Sequence, residues 1–294
     1  MYELVQAAGN SFYLNCPAKI GLVRLSEQDV CLIDSGSDKD AGRKVRQLLD
    51  RQGWHLAAIY NTHSHADHIG GNAYLQAQTG CPVYAPGIDR CFTEYPILEP
   101  AFLYGGCPHQ SLRHKFLLAK ESQAQLLTEA SLPAGMTPVP LPGHSFDMMG
   151  FRTADGVVYL ADCLSSRDTL EKYRIGFLYD VGAALDTLER VCAMEAACFV
   201  PAHAPATEDI APLARYNIDQ IHAVAETILA LCREPQTFEE LLRRLFLDFD
   251  LTMTMEQYAL VGSTIRSYLT WLSRDKRLEP VIEDARLLWR TILS

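Results

Sequence analysis

Between residues 30 and 85 short apolar runs alternate with stretches of helical spacing, and each helical stretch closes on a glycine. Val30-Cys31-Leu32-Ile33 reads as a strand, and residues 39 to 52 carry apolar positions at 41, 45, 48 and 49 of an amphipathic helix closed by Gly53. Ala57-Ala58-Ile59-Tyr60 is a short buried strand, followed by a helix from about Asp67 to Gln78 ending at Gly80 and a strand at residues 82 to 85. Each such helix has one face to bury, and a sheet beside it is the surface that buries it. The alternation therefore predicts the α/β class, with helices packed on sheets.

Just upstream, Leu22 to Leu25 and Val30 to Asp34 flank the polar turn Ser26-Glu27-Gln28-Asp29, a hairpin whose second strand ends at Asp34. After residue 132 the pattern turns to strands at 137 to 141, 149 to 153 and 157 to 161, the last two joined by Ala154-Asp155-Gly156. A helix from about 183 to 196 then leads to the strand Cys198-Phe199-Val200. Strand plus helix thus recurs in both halves, which predicts a two-sheet core with helices outside.

Residues 86 to 131 break the rhythm, with Pro96, Pro100, Gly105-Gly106 and Pro108 among Phe92, Tyr95, Phe102 and Tyr104. The segment reads as an irregular, lid-like insertion that touches substrate rather than ligands, with an interface loop as the alternative. From residue 209 the chain is helical over about 211 to 232, 238 to 246 and 255 to 274, and 278 to 293 reads as two strands around Glu283-Asp284. Three helices and a hairpin make a winged-helix-like module of residues 209–294, after a main domain of residues 1–208.

The 294 residues are 48% hydrophobic, enough for a sizeable core. The formal charge of −10 repels a phosphate backbone, so no nucleic-acid partner is expected. The tail has ten Lys/Arg against thirteen Asp/Glu, so a packing or homodimerising role suits it better than DNA reading. No apolar stretch approaches the ~20 residues that span a bilayer, and Met1-Tyr2-Glu3-Leu4 has no secretory pattern. Nine scattered cysteines without a Cys-x-x-Cys pair fit buried thiols in a reducing compartment, and the expected location is the cytoplasm.

Chemistry concentrates in Asn61-Thr62-His63-Ser64-His65-Ala66-Asp67-His68, directly after a strand. In an extended loop His63 and His65 share a side, while Asp67 and His68 open the next helix toward a second point. Closely spaced imidazoles and a carboxylate suit zinc or iron better than magnesium or calcium. Taken alone, Asp67 could merely cap a helix. Three further polar residues stand at later strand ends: His144 after Gly143, Asp162 after Ala161, and His203 after Ala202.

In this order, His63-x-His65-x-Asp67-His68, Gly143-His144, Asp162 and His203 resemble the metallo-β-lactamase-fold superfamily, nearest in pattern to its glyoxalase-II-like hydrolases, over roughly residues 8 to 208. Asp34 resembles the strand-end aspartate that supports the metal loop in that family. The resemblance implies an αββα sandwich with two metals at one edge, and the tail resembles the winged-helix-like extension of several such hydrolases. It implies that His63, His65 and His144 hold one metal, Asp67, His68 and His203 the other, and that Asp162 bridges them. Ala161 and Ala204 stand where glycine is common in the family, and Ser145-Phe146-Asp147 replaces the usual small turn. His65 replaces the glutamate usual in oxygen-reducing diiron relatives, which favours zinc and hydrolysis, with iron or manganese as alternatives.

A water shared by two such cations ionises near neutral pH, its pKa falling from about 16 to about 7 in zinc-bound cases, and supplies a hydroxide nucleophile. The expected activity is therefore dinuclear metal-dependent hydrolysis of a small ester, thioester, lactone or lactam, with Asp67 and Asp162 as the catalytic carboxylates. A phosphodiesterase or nuclease of the same fold and a non-catalytic metal-binding scaffold are the alternatives. Cys163 reads as a packing thiol; Tyr95, Tyr104, His109 and His114 are insertion residues that could orient substrate.

Overall fold

The computed structural model describes residues 2–292. Its first half builds a seven-stranded sheet in chain order from β1 (Glu3–Ala8), β2 (Ser11–Asn15), β3 (Ile20–Arg24), β4 (Asp29–Ile33), β5 (His55–Tyr60), β6 (Val83–Ala85) and β7 (Gln125–Leu126). Pairing is antiparallel from β1 to β4 and parallel from β4 to β7. The parallel steps need crossovers: α1 (Lys39–Gln52) provides the first, α2 (Ala66–Ile69) and α3 (Asn72–Thr79) the second, and the insertion with α4 (Asp89–Glu94) and α5 (Leu98–Tyr104) the third. Helix α1 starts on the Asp38 carboxylate, which accepts from the backbone of Asp40 and Ala41, and ends on Gly53 in the left-handed region.

A second, four-stranded sheet runs β11-β10-β9-β8, from β8 (Thr137–Pro140), β9 (Met149–Arg152), β10 (Val157–Ala161) and β11 (Cys198–Pro201), with α6 (Arg167–Tyr173) and α7 (Val181–Cys192) between the last two. Strand alternation sorts the side chains into layers. Cys31 and Ile33 of β4 meet Val157 and Tyr159 of β10 between the sheets. Val30 and Leu32 face outward against Val45, Leu48 and Leu49 of α1, and Val158 and Leu160 face outward against Leu188 and Val191 of α7. The result is the expected αββα sandwich. The sheets approach so closely at Gly21 that a Cβ there would stand 2.7 Å from the Tyr159 ring.

The tail forms α8 (Ala211–Leu231), β12 (Gln236–Thr237), α9 (Phe238–Asp248), α10 (Met255–Arg274), β13 (Leu278–Glu283) and β14 (Arg286–Thr291), the strands pairing as β12-β14-β13. These are the expected helices and hairpin; residue 293, included in the expected second strand, lies outside the described residues. One buried cluster runs from Leu141 and Leu160 of the second sheet through Ile221 and Ile228 of α8 to Leu269 and Leu278. The tail and the second sheet thus share a core.

Two expectations need correction. The helix expected over 67 to 78 is two helices: the Gly71 N–H turns to the Gly36 carbonyl and the Ser35 hydroxyl, and a Cβ at Gly70 or Gly71 would stand 2.3 Å from the backbone of Ser37 or Ser35. The insertion is irregular only in part: it opens with the short helices α4 and α5, Pro100 being tolerated in the first turn of α5, and beyond Tyr104 it holds only two single 3₁₀ turns and β7. The β1–β2 hairpin and α6 carry no pattern that separates them from loop.

Candidate metal centre

All seven candidate side chains leave from the same edge of the two sheets. The Asn61 N–H bonds to the Tyr84 carbonyl at 2.8 Å and fixes the start of the loop after β5; that loop runs extended through His65, which caps α2. Asp67 and His68 sit in the single turn of α2. His144 follows Gly143, whose φ of +128° and 2.4 Å approach of a Cβ to the Ala184 backbone admit only glycine. The Gly143 carbonyl accepts from both Tyr179 and Asp180, which clamps the loop. Asp162 follows β10 and His203 follows β11, and the Ala202 N–H bonds to the Ala161 carbonyl at 3.0 Å, keeping these two strand ends together.

The donor atoms gather into two groups, each within 4.8 Å: His63, His65 and His144, and Asp67, His68, Asp162 and His203. Asp162 lies between them. Its Oδ1 is 3.2 Å from His68 Nε2, and its Oδ2 is 3.2 Å from His203 Nε2 and 3.6 Å from His144 Nε2. His144 Nε2 lies 2.9 Å from His65 Nδ1, and Asp67 Oδ2 lies 3.1 Å from His203 Nε2.

The remaining ring nitrogens are turned outward. His68 Nδ1 meets Asp34 Oδ2 at 2.8 Å, His63 Nδ1 meets the Thr62 hydroxyl at 3.0 Å, His144 Nδ1 meets the Phe177 carbonyl at 3.0 Å, and His203 Nδ1 meets the Pro17 carbonyl at 2.9 Å. Asp34 also accepts from the Thr62 backbone and hydroxyl, so one carboxylate orients both His68 and, through Thr62, His63. Each outward partner fixes a tautomer and aims the other nitrogen inward. Among the described residues the inward atoms His63 Nε2, His68 Nε2 and Asp162 Oδ1 are fully buried without a well-aligned hydrogen bond, the last two facing each other at 3.2 Å. Buried polar atoms are rarely left so, and three converging on one point fit cations that would satisfy them all.

The charges divide the same way. Burial holds the His63 and His144 rings below their usual range and pushes His65 down to about 3, so these stay neutral and keep lone pairs. Burial also opposes a charged His68, but Asp162, Asp67 and Asp34 outweigh it and raise that ring well above its usual value. Asp162 raises His203 to about 10. Burial would raise Asp162, yet His203 and His68 hold it well below the carboxylate range.

Two acidic residues of the insertion escape the sequence pattern. Asp89 is fully buried, and its carboxylate accepts from the Ser64 N–H and hydroxyl, the Asp147 N–H and the Ser145 hydroxyl, tying the His63–His65 loop to the His144 loop. Glu99 Oε1 lies 3.5 Å from His65 Nε2, and burial pushes its carboxyl up to about 8. The insertion therefore reaches the candidate ligands themselves, which corrects the expectation that it touches only substrate. No local pattern marks either: Asp89 stands beside Arg90, and Glu99 precedes Pro100. Tyr95 and Tyr104 are exposed, His109 caps a short turn at Ser111, and His114 lies 3.7 Å from Glu256 of α10. Cys163 packs in the second-sheet core, and burial pushes its thiol up.

The family model described as the metallo-beta-lactamase superfamily matches residues 14–203. A hydroxyacylglutathione hydrolase of Methylococcus capsulatus is 50% identical over 46 residues, 16% of this chain and 18% of that relative. The matched curated relatives are each covered over less than a third of their length. Among solved structures, a beta-lactamase domain protein from Burkholderia ambifaria superposes with a TM-score of 0.74 at 18% identity, covering 99% of this chain and 94% of that one. A protein solved in a di-iron-bound form superposes with a TM-score of 0.50 at 25% identity, covering 68% and 93%. The family match covers more than half of the chain and coincides with the edge where the seven side chains converge: the chain belongs to the metallo-beta-lactamase superfamily.

Proposed function

We propose that the protein is a dinuclear metal-dependent hydrolase of a small ester or thioester, with His63, His65 and His144 holding one ion, Asp67, His68 and His203 the other, and Asp162 between them. The observation that carries this reading is the convergence of the buried His63 Nε2, His68 Nε2 and Asp162 Oδ1 atoms. Two divalent ions there supply Lewis acidity for a carbonyl oxygen and a water that ionises near neutral pH. Zinc is favoured by the imidazole-rich donor set and iron is the alternative, since a di-iron-bound structure is among the similar folds.

The chain's own residues do the positioning. Asp162 spreads its two oxygens over both donor groups and balances their positive charge. Burial would raise the Asp67 carboxyl, but His68 and His203 hold it well below the usual carboxylate range, so it stays an anion and balances the charge of its own donor group. Beside Asp162 and His144 a cavity of about 70 Å³ is lined by Leu164, Leu170, Ile221 and Tyr268 together with Arg174 and Gln220, a recess of mixed polarity for a small acyl group to which α8 and α10 contribute. The thioester is preferred because the short matches are to relatives named hydroxyacylglutathione hydrolase, and an acyl group on the glutathione thiol is a thioester. Elemental analysis followed by a screen of thioesters, esters, lactones and phosphodiesters before and after chelation tests this. About two ions per chain and chelator-sensitive thioester turnover are expected; active protein without metal overturns it.

A further inference from the structure

Four of the five histidines in the centre turn Nδ1 outward, to Asp34 at the end of β4, Thr62 in the same loop as His63, Phe177 between α6 and α7, and Pro17 between β2 and β3. His65 is reversed. Its Nδ1 is the atom beside His144, at 2.9 Å, and its Nε2 faces out. What it faces is Glu99 Oε1, 3.5 Å away on α5, in a side chain only 10% exposed that no hydrogen bond reaches among the described residues. A buried carboxyl is costly without a donor, and the His65 ring N–H is the donor at hand. The insertion is also fixed in place around this pair. Asp89 bonds the loops on either side of His65, Lys115 pairs with Asp38 at 3.0 Å, and Leu103 and Leu112 pack on Ala259 of α10.

We propose that Glu99 is a positioning residue for the metal centre: its carboxyl oxygen accepts the Nε2–H of His65 and so holds that ring in the tautomer and rotation that present Nδ1 beside His63 and His144. The inference rests on the metal reading given above. Without the acceptor, a flip of the His65 ring costs little, and one donor of the three-histidine group loses its orientation. A carboxyl oxygen accepts whether or not the group is ionised, so Glu99→Gln retains the function, whereas Glu99→Leu keeps the bulk and the burial but offers no acceptor.

Zinc titration of the full chain against a competing chelator separates the two variants. Outer partners of ligating histidines typically contribute 10–100-fold in metal affinity, so Glu99→Leu is expected to bind one of its two zinc ions about 10–100-fold more weakly, with Glu99→Gln close to wild type. In the zinc-loaded wild type, long-range ¹H–¹⁵N correlation spectra are expected to show His65 protonated at Nε2 and slow to exchange, and that proton should exchange faster in Glu99→Leu. Folding is checked by circular dichroism. A folded Glu99→Leu that holds both ions as tightly as wild type, with unchanged Nε2–H exchange, overturns the proposal. So does Glu99→Gln behaving like Glu99→Leu. Wild-type protein that takes up no zinc overturns the metal reading and this inference together, which sets that failure apart from the others.

Discussion

Asp34 Oδ2 and His68 Nδ1 lie 2.8 Å apart across 34 residues of sequence. The same carboxylate takes the Thr62 N–H and hydroxyl, so the end of β4 and the loop after β5 are joined by one side chain. Asp34→Ala strands these donors in a site that is 3% exposed, and a loss of about 3 kcal/mol of stability is expected on general grounds. Metal affinity should also fall about 10–100-fold, through His68. Urea melts and a zinc titration check both; unchanged melts would show that the donors find other partners.

Asp162→Asn separates a bridging carboxylate from one that only ends a strand. The substitution keeps the size and one acceptor oxygen but removes the negative charge that His68 and His203 face at 3.2 Å. Weaker binding of at least one ion is expected, with kcat/KM lower by roughly two or more orders of magnitude, at about 1.4 kcal/mol per tenfold. Two tightly held ions with near-normal turnover would refute the bridge.

Asp38 caps α1, and the Ala41 N–H holds its carboxyl below the usual range; slight burial opposes this and Lys115 supports it. Asp38→Ala should cost about 1 kcal/mol at neutral pH. Because the folded value is depressed, the cap's contribution is complete above the unfolded carboxylate value of about 4 and fades as pH falls through the folded one. Stability curves of the two proteins should therefore run parallel near neutrality and converge in acid. A gap that persists or widens there contradicts the assignment.

Ala161 has a φ of +50°, a left-handed conformation that costs a residue bearing a Cβ, immediately before Asp162. Ala161→Gly relieves it and is expected to raise stability by about 1 kcal/mol, measured as a shift in denaturation midpoint at unchanged slope. A lower midpoint would mean that the methyl's packing in the buried second-sheet core outweighs the backbone strain.

The elements that the sequence made legible have strong local signals. Helix α1 was readable to the residue from its apolar spacing and Gly53, and α10 from its length and amphipathic pattern. The seven candidate ligands were readable because they fall at strand ends in a fixed order. Their convergence was not readable from spacing alone, since it depends on how the two sheets meet, and it was expected only through the family resemblance. The break at Gly70-Gly71 was missed because the backbone of Ser35 to Ser37, which it packs against, is a tertiary neighbour. Asp89 and Glu99 were missed for the same reason: their neighbours are Ser64, Ser145 and His65, and no local pattern announces them.

The core that unites the second sheet with the tail bears on the order of events during synthesis. All seven donor residues have been translated once His203 is added, but the outer face of the sheet that carries His144, Asp162 and His203 is completed by side chains as late as Leu278. A nascent chain therefore holds its ligands some seventy residues before it can bury the surface beneath them. A chain stopped near residue 208 would leave Leu160, Leu188 and Val191 open to water and to other chains.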